Sequence, residues 1–259
     1  MEPLQIIPST TSHKRERLIP ALRLFARLGF CDIDLNLNHI VEGGADPDEI
    51  RDALAENGQR VQIASGGWCD FFDEGPAAER TLESVERQVS LTRRFGANRL
   101  RLFFGLLPVD AYAPASADVC ARNIGRVAGR HPDVLFVFEN HDGASSRPHV
   151  CRTVLEAVGR PNVRLTFDPI NFEHRGVRTA DALAVLGPFI GHVHLKGYAA
   201  GEFCGFGEGT VDLTPALRTL VGTGYAGGFT VEYEGSGDRT LRLFESVERA
   251  HEVLARLAD

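Results

Sequence analysis

Eight times in 259 residues, a short apolar run that reads as a β-strand gives way to an amphipathic run that reads as a helix. That alternation leaves few folds open. Two successive strands joined through a helix are the unit of a parallel sheet, because the crossover needs a helix to return the chain. The strand readings are Leu4 to Pro8, Cys31 to Leu37, Arg60 to Ser65, Arg99 to Phe104, Val134 to Glu139, Val163 to Asp168, Phe189 to Lys196 and Gly228 to Glu234. Between them, Asp46-Pro47 and Pro148 open helices, and Gly29 and Gly96 stop them, as capping preferences dictate. No G-x-G-x-x-G fingerprint follows the first strand, which argues against an open dinucleotide-binding sheet. Eight units in a chain close to the roughly 250 residues of a closed (β/α)₈ barrel predict an α/β TIM barrel, one domain over 1–259.

In such barrels function sits at the C-terminal strand ends, and four of these strands end in groups that an apolar run cannot bury without a partner. The fifth ends in Glu139, the sixth in Asp168, the seventh carries His192, His194 and Lys196, and the eighth carries Glu232 and Glu234. Any one of them reads equally well as a salt bridge or a loop cap. Glu139, Asp168, His194 and Glu232 together, at the ends of four consecutive strands, read as a metal site. Crowded carboxylates repel unless a cation holds them. An oxygen-rich set with one imidazole favours Mn²⁺ or Mg²⁺, with Co²⁺ or Zn²⁺ as alternatives.

Charge and cysteine usage narrow the function classes. With 28 basic and 35 acidic residues, net −7, and no dense Lys/Arg run, the chain lacks the clustered cations that phosphate backbones require. Five scattered cysteines without a C-x-x-C pair suggest neither a disulfide framework nor a thiolate zinc site. Met1 to Gln5 has no leader character, and no stretch is long and apolar enough to span a membrane. The expectation is a cytoplasmic protein whose partner is a small molecule, with no nucleic acid or membrane and with room for a homo-oligomer.

The motifs around these strand ends extend the reading. Phe138-Glu139-Asn140-His141-Asp142-Gly143, Phe167-Asp168-Pro169, His192-Val193-His194-Leu195-Lys196 and Gly207-Glu208-Gly209-Thr210-Val211-Asp212-Leu213, followed by Gly224-Tyr225 and Val231-Glu232, resemble the xylose-isomerase-like TIM-barrel superfamily of sugar phosphate isomerases and epimerases. The resemblance covers most of the C-terminal half. It implies that Glu139, Asp168, His194 and Glu232 are metal ligands and that Glu139 and Glu232 also transfer protons. Where the ketose 3-epimerases of that superfamily carry a substrate-binding His and Arg, this chain has Asn171 and Ala200, and Gly197 stands where an Asp often follows H-x-K.

Substrate contacts are expected from Lys196, His141, Arg101 and Asn171, with Trp68 as a pocket wall. His192, one layer deeper than His194, reads as a hydrogen-bonded core residue. Ser9 and Cys69 would need an adjacent base to act as nucleophiles. The run Gly205-Phe206-Gly207-Glu208-Gly209 lacks the Lys-Ser/Thr end of a phosphate loop and reads as a mobile loop. The expected function is a divalent-metal-dependent isomerase or epimerase of a ketose or sugar phosphate, working through an enediolate by glutamate-mediated proton transfer. The alternatives are β-elimination from a keto-sugar or keto-glycoside, an endonuclease-type phosphodiesterase, and a non-catalytic sugar-binding barrel.

Overall fold

The computed structural model describes residues 4–258, so the first three residues of the Met1 to Gln5 stretch, read as without leader character, lie outside the described residues. Along the chain run β1 (Ile6–Pro8), α1 (Leu18–Arg27), β2 (Asp32–Asn36), α2 (Asn38–Val41), α3 (Pro47–Glu56), β3 (Arg60–Ser65), α4 (Gly75–Arg94), β4 (Arg99–Phe103), α5 (Pro114–Arg130) and β5 (Leu135–Glu139). These are followed by α6 (Pro148–Val158), β6 (Val163–Phe167), α7 (Pro169–His174), α8 (Thr179–Leu186), β7 (Ile190–Leu195), β8 (Gly197–Ala199), β9 (Glu202–Cys204), α9 (Thr214–Gly222), β10 (Phe229–Val231) and α10 (Arg239–Ala258). All eight strands read from the sequence are present. Among the described residues no helix is long and apolar enough to cross a membrane.

The chain divides into two compact units, one of residues up to Gln62 with those from His192 onward, the other Ile63–Gly191. In the first, β1 pairs parallel with β10, β10 pairs parallel with β7, and a parallel bridge joins Ser9 to Asp34 of β2. Strand β2 alternates strictly. Ile33, Leu35 and Leu37 are fully buried on one side, while Asp32, Asp34 and Asn36 share the other. Asp34 and Asn36 on that face are buried and Asp32 is half-buried, and buried polar groups must be satisfied. Asp32 accepts from Arg60 and Gln62 at 2.9 and 2.8 Å. Asn36 takes the Thr10 hydroxyl on its backbone N–H at 2.8 Å and donates through its amide to the Thr11 hydroxyl at 3.1 Å.

In the second unit β3, β4, β5 and β6 pair in sequence order, all parallel. The register sets Leu102 beside Phe138 and Phe138 beside Leu165, and sets Phe103 beside Glu139 and Glu139 beside Thr166. One face is therefore apolar, with Phe138 edge-on to Phe71 at 5.3 Å. The other face carries Arg101, Phe103, Glu139 and Thr166, all buried.

Helix ends follow their sequence signals. Asp46 caps α3 by accepting from the Asp48 N–H at 2.8 Å, with Pro47 as the first helical residue, and α6 ends at Gly159 in the left-handed region. Two glycines are required by space. A Cβ on Gly66 would lie 2.2 Å from Gln88 Oε1 and 3.0 Å from the Arg101 carbonyl, and a Cβ on Gly143, at φ +62°, would lie 2.4 Å from the Leu107 carbonyl.

The structure corrects three readings. Residues 197–204 form an antiparallel hairpin, β8 with β9, where the sequence suggested only loop. The glycine-rich run after it is tied down rather than open, because Glu208 accepts from the Gly205 N–H and pairs with Arg242 at 3.1 Å and Arg249 at 3.0 Å. Asp168 and Glu232 lie just past their strands. Asp168 is the N-cap of α7, and the Glu232 N–H is held by the Leu195 carbonyl at 3.0 Å.

Candidate metal and sugar site

In the second unit, the ends of β5 and β6 are joined by side-chain amides. Asn140 donates to the Asp168 carbonyl at 2.8 Å and accepts the Asp168 N–H at 2.9 Å. Asp168 Oδ1 accepts the Asn171 N–H at 3.0 Å, so one carboxylate oxygen caps α7. Asn171 spends its own amide on Glu139 Oε1 and on the Asn140 carbonyl, both at 3.0 Å. The second oxygen of Glu139 lies 3.3 Å from Arg101 Nε, an ion pair with both side chains about 4% exposed. The Arg101 guanidinium lies 4.4 Å from the Phe103 ring centroid and reaches the Gly66 carbonyl at 3.3 Å. Each oxygen of Glu139 thus has a fixed neighbour, which limits the carboxylate to few orientations. Asn171 and Arg101, expected as substrate contacts, both touch Glu139. Asn140 was quoted in the motif without a role. Its position between a buried Glu and a His was the available signal.

An aromatic corner adjoins them. Trp68 stacks on Phe103 with centroids 4.3 Å apart, and the His141 ring stands edge-on to both at 5.3 and 5.0 Å. Trp68 keeps 48% of its surface exposed, so the stacked pair offers an aromatic face to solvent, as a pocket wall would. Asp142 lies 3.6 Å from His141 Nδ1 and accepts from Arg175.

In the first unit, Asp34, His194 and Glu232 are all buried, and one ligand atom from each lies within 4.8 Å of the others. His194 Nδ1 is 3.6 Å from Glu232 Oε2. Two ionised carboxylates 4.8 Å apart would repel by about 3.5 kcal/mol at an effective dielectric of about 20, a cost that nearby positive charge offsets. Part of that charge is Lys196. Its side chain is 1% exposed, and its Nζ lies 3.9 Å from Glu232 Oε2 and donates to Glu234 Oε2 at 2.8 Å. Lys14 donates to the other oxygen of Glu234 at 3.0 Å. The Lys196 ammonium, then Lys14, hold the Glu234 carboxyl well below the usual carboxylate range against the opposing effect of burial. Lys196 is therefore an enclosed ion-pair member and not a side chain snorkelling to water. His192 bonds to Thr230 at 2.8 Å, in agreement with a core role.

One imidazole with carboxylate oxygens, buried and within ligand distance, is a donor set that suits a hard divalent cation. Asp34 was missed as a site residue. Its signal was the alternation of Asp32, Asp34 and Asn36 with three aliphatic residues, which marks a polar strand face. The Cys69 thiol is pushed up to about 11 by burial, which removes it as a nucleophile near neutral pH. A cavity of ≈430 Å³ in the first unit is lined by Arg249, Arg256, Glu252, Asp212 and Phe206 and touches Lys196 alone among the residues expected at the site.

Comparison with known proteins places this geometry in a family. A family model described as "Xylose isomerase-like TIM barrel" matches residues 22–257. A xylose isomerase-like TIM barrel protein from Mycobacterium smegmatis, solved in complex with magnesium, is 20% identical, with 99% of this chain and 98% of that chain covered and a TM-score of 0.80. D-allulose 3-epimerase from Methylomonas sp. is 19% identical over 97% and 98% of the two chains, with a TM-score of 0.80. The probable 3-DHS dehydratase AsbF of petrobactin synthesis from Bacillus anthracis is 17% identical over 96% and 98%, with a TM-score of 0.74. No curated protein matches the chain in sequence. Such likenesses over nearly the whole chain show the fold as the α/β TIM barrel with its eight parallel strands. With the family model spanning all but the ends, the chain belongs to the xylose isomerase-like TIM barrel family.

Proposed function

We propose that the protein is a divalent-metal-dependent isomerase or epimerase of a ketose or sugar phosphate, in which Glu139, Asp168, His194 and Glu232 hold the cation. Mn²⁺ or Mg²⁺ suits the oxygen-rich set best, with Co²⁺ or Zn²⁺ as alternatives. The observation that carries the reading is the buried donor chemistry at these strand ends, above all an imidazole 3.6 Å from a carboxylate inside a packed core. That one relative was solved with magnesium and another is a ketose epimerase supports it. When bound, the cation supplies positive charge that polarises a substrate carbonyl and its neighbouring hydroxyl.

The chain's own residues would do the rest. One of Glu139 and Glu232 takes the proton from the carbon beside the carbonyl, leaving an enediolate. The other returns a proton to a different carbon or face. Asn171 and Arg101 keep Glu139 aimed, while Trp68 and His141 offer an aromatic wall to the C–H face of a sugar. Lys196 supplies a cation for a substrate oxygen.

A second reading is elimination from the same enediolate. It is supported by the enclosed Lys196 ammonium 3.9 Å from Glu232, a donor for a departing hydroxyl or alkoxide, and by the dehydratase among the related structures. Incubating the protein with a panel of ketoses, ketose phosphates and keto-glycosides, with and without Mn²⁺, and following products by NMR separates the two. New sugar isomers formed only with metal are the expected result. Loss of water or an aglycone would shift the assignment to elimination, and no product from any member of the panel with metal present would overturn the proposal.

A further inference from the structure

We propose that Asp34 is a further donor to the divalent cation, sharing it with His194 and Glu232. This rests on the reading of those two residues as ligands. Asp34 is the central residue of β2 and is fully buried. It stands within 4.8 Å of an imidazole nitrogen and a second buried carboxylate oxygen. Lys196 brings positive charge to one side of this cluster, donating to Glu234 at 2.8 Å and lying 3.9 Å from Glu232. Two oxygens and a nitrogen converging at this distance form one side of a coordination shell for a hard cation. The strand pairing makes the position rigid, because Ser9 bridges to Asp34 and the Ser9 N–H is bonded to the Val231 carbonyl at 2.9 Å, next to Glu232.

The test is a Mn²⁺ titration of chelator-stripped full-length protein, read by the electron paramagnetic resonance of free Mn²⁺, in wild type, Asp34→Asn and Asp32→Asn. Wild type and Asp32→Asn should bind alike, and Asp34→Asn should bind more than about tenfold more weakly with an unchanged circular dichroism spectrum. If Asp34→Asn does not fold, Mn²⁺-soaked crystals of the wild type decide the matter. The anomalous peak should lie about 2.0–2.2 Å from an Asp34 oxygen, an ordinary ligand distance. Wild-type affinity in Asp34→Asn, or an ion held by His194 and Glu232 but beyond about 3.5 Å from both Asp34 oxygens, would overturn the Asp34 assignment alone. No Mn²⁺ bound by the wild type would overturn the ligand reading of His194 and Glu232 as well.

Discussion

Lys196 and Glu234 show how a single residue pair is tied to its surroundings. The ammonium is enclosed, its carboxylate partner is 19% exposed at the side chain, and Lys14 reaches the same carboxylate from the surface. Removing the carboxylate charge leaves Lys196 buried beside Glu232, so Glu234→Gln should lower the unfolding free energy at pH 7 by about 3 kcal/mol. The pH dependence follows from the direction of the shift, because the folded-state value of Glu234 lies below its ordinary, unfolded value of about 4.5. The contribution is fully present above that unfolded value and is lost as pH falls through the depressed folded one. Urea unfolding of wild type and Glu234→Gln should therefore show a constant gap from pH 7 down to about 5 that narrows below about pH 4. A gap independent of pH into the acid range would show that the two lysines do not hold the carboxylate in the folded state.

At the scale of elements, Asp168 ties a candidate ligand to the start of a helix. Its Oδ1 caps α7 through the Asn171 backbone N–H, and the Asn171 side-chain amide in turn donates to Glu139. In metal-free protein Asp168→Ala should cost about 1 kcal/mol, while Asp168→Asn, which keeps an acceptor at the cap, should stay within a few tenths. Equal losses in the two variants would mean that the cap does not set the position of α7. The elements also show what a sequence reveals. Eight parallel strands were legible because each demands an apolar run and a helical return, constraints written locally. The β8–β9 hairpin was not legible, since its three-residue strands carry no alternation long enough to detect, and the glycine-rich run after it is secured by Glu208 with Arg242 and Arg249, far apart in the chain. Glu139, Asp168, His194 and Glu232 stood out because each interrupts or ends an apolar run. Asp34 was hidden in a regular polar alternation that reads like a half-exposed strand until its burial is known.

For the whole molecule, the two-glutamate proton transfer is the claim on which the proposed function turns. Deuterium exchange in D₂O tests the proton transfer most directly, in Mn²⁺-loaded wild type, Glu139→Gln and Glu232→Gln, with the keto-sugar that the wild type turns over. The wild type should place deuterium on the carbon next to the carbonyl. Each variant should lose turnover by at least about 10²-fold, and one of the two should still exchange that C–H without forming product. Near-normal turnover in either variant with metal still bound, or a wild-type product free of deuterium, would contradict the account.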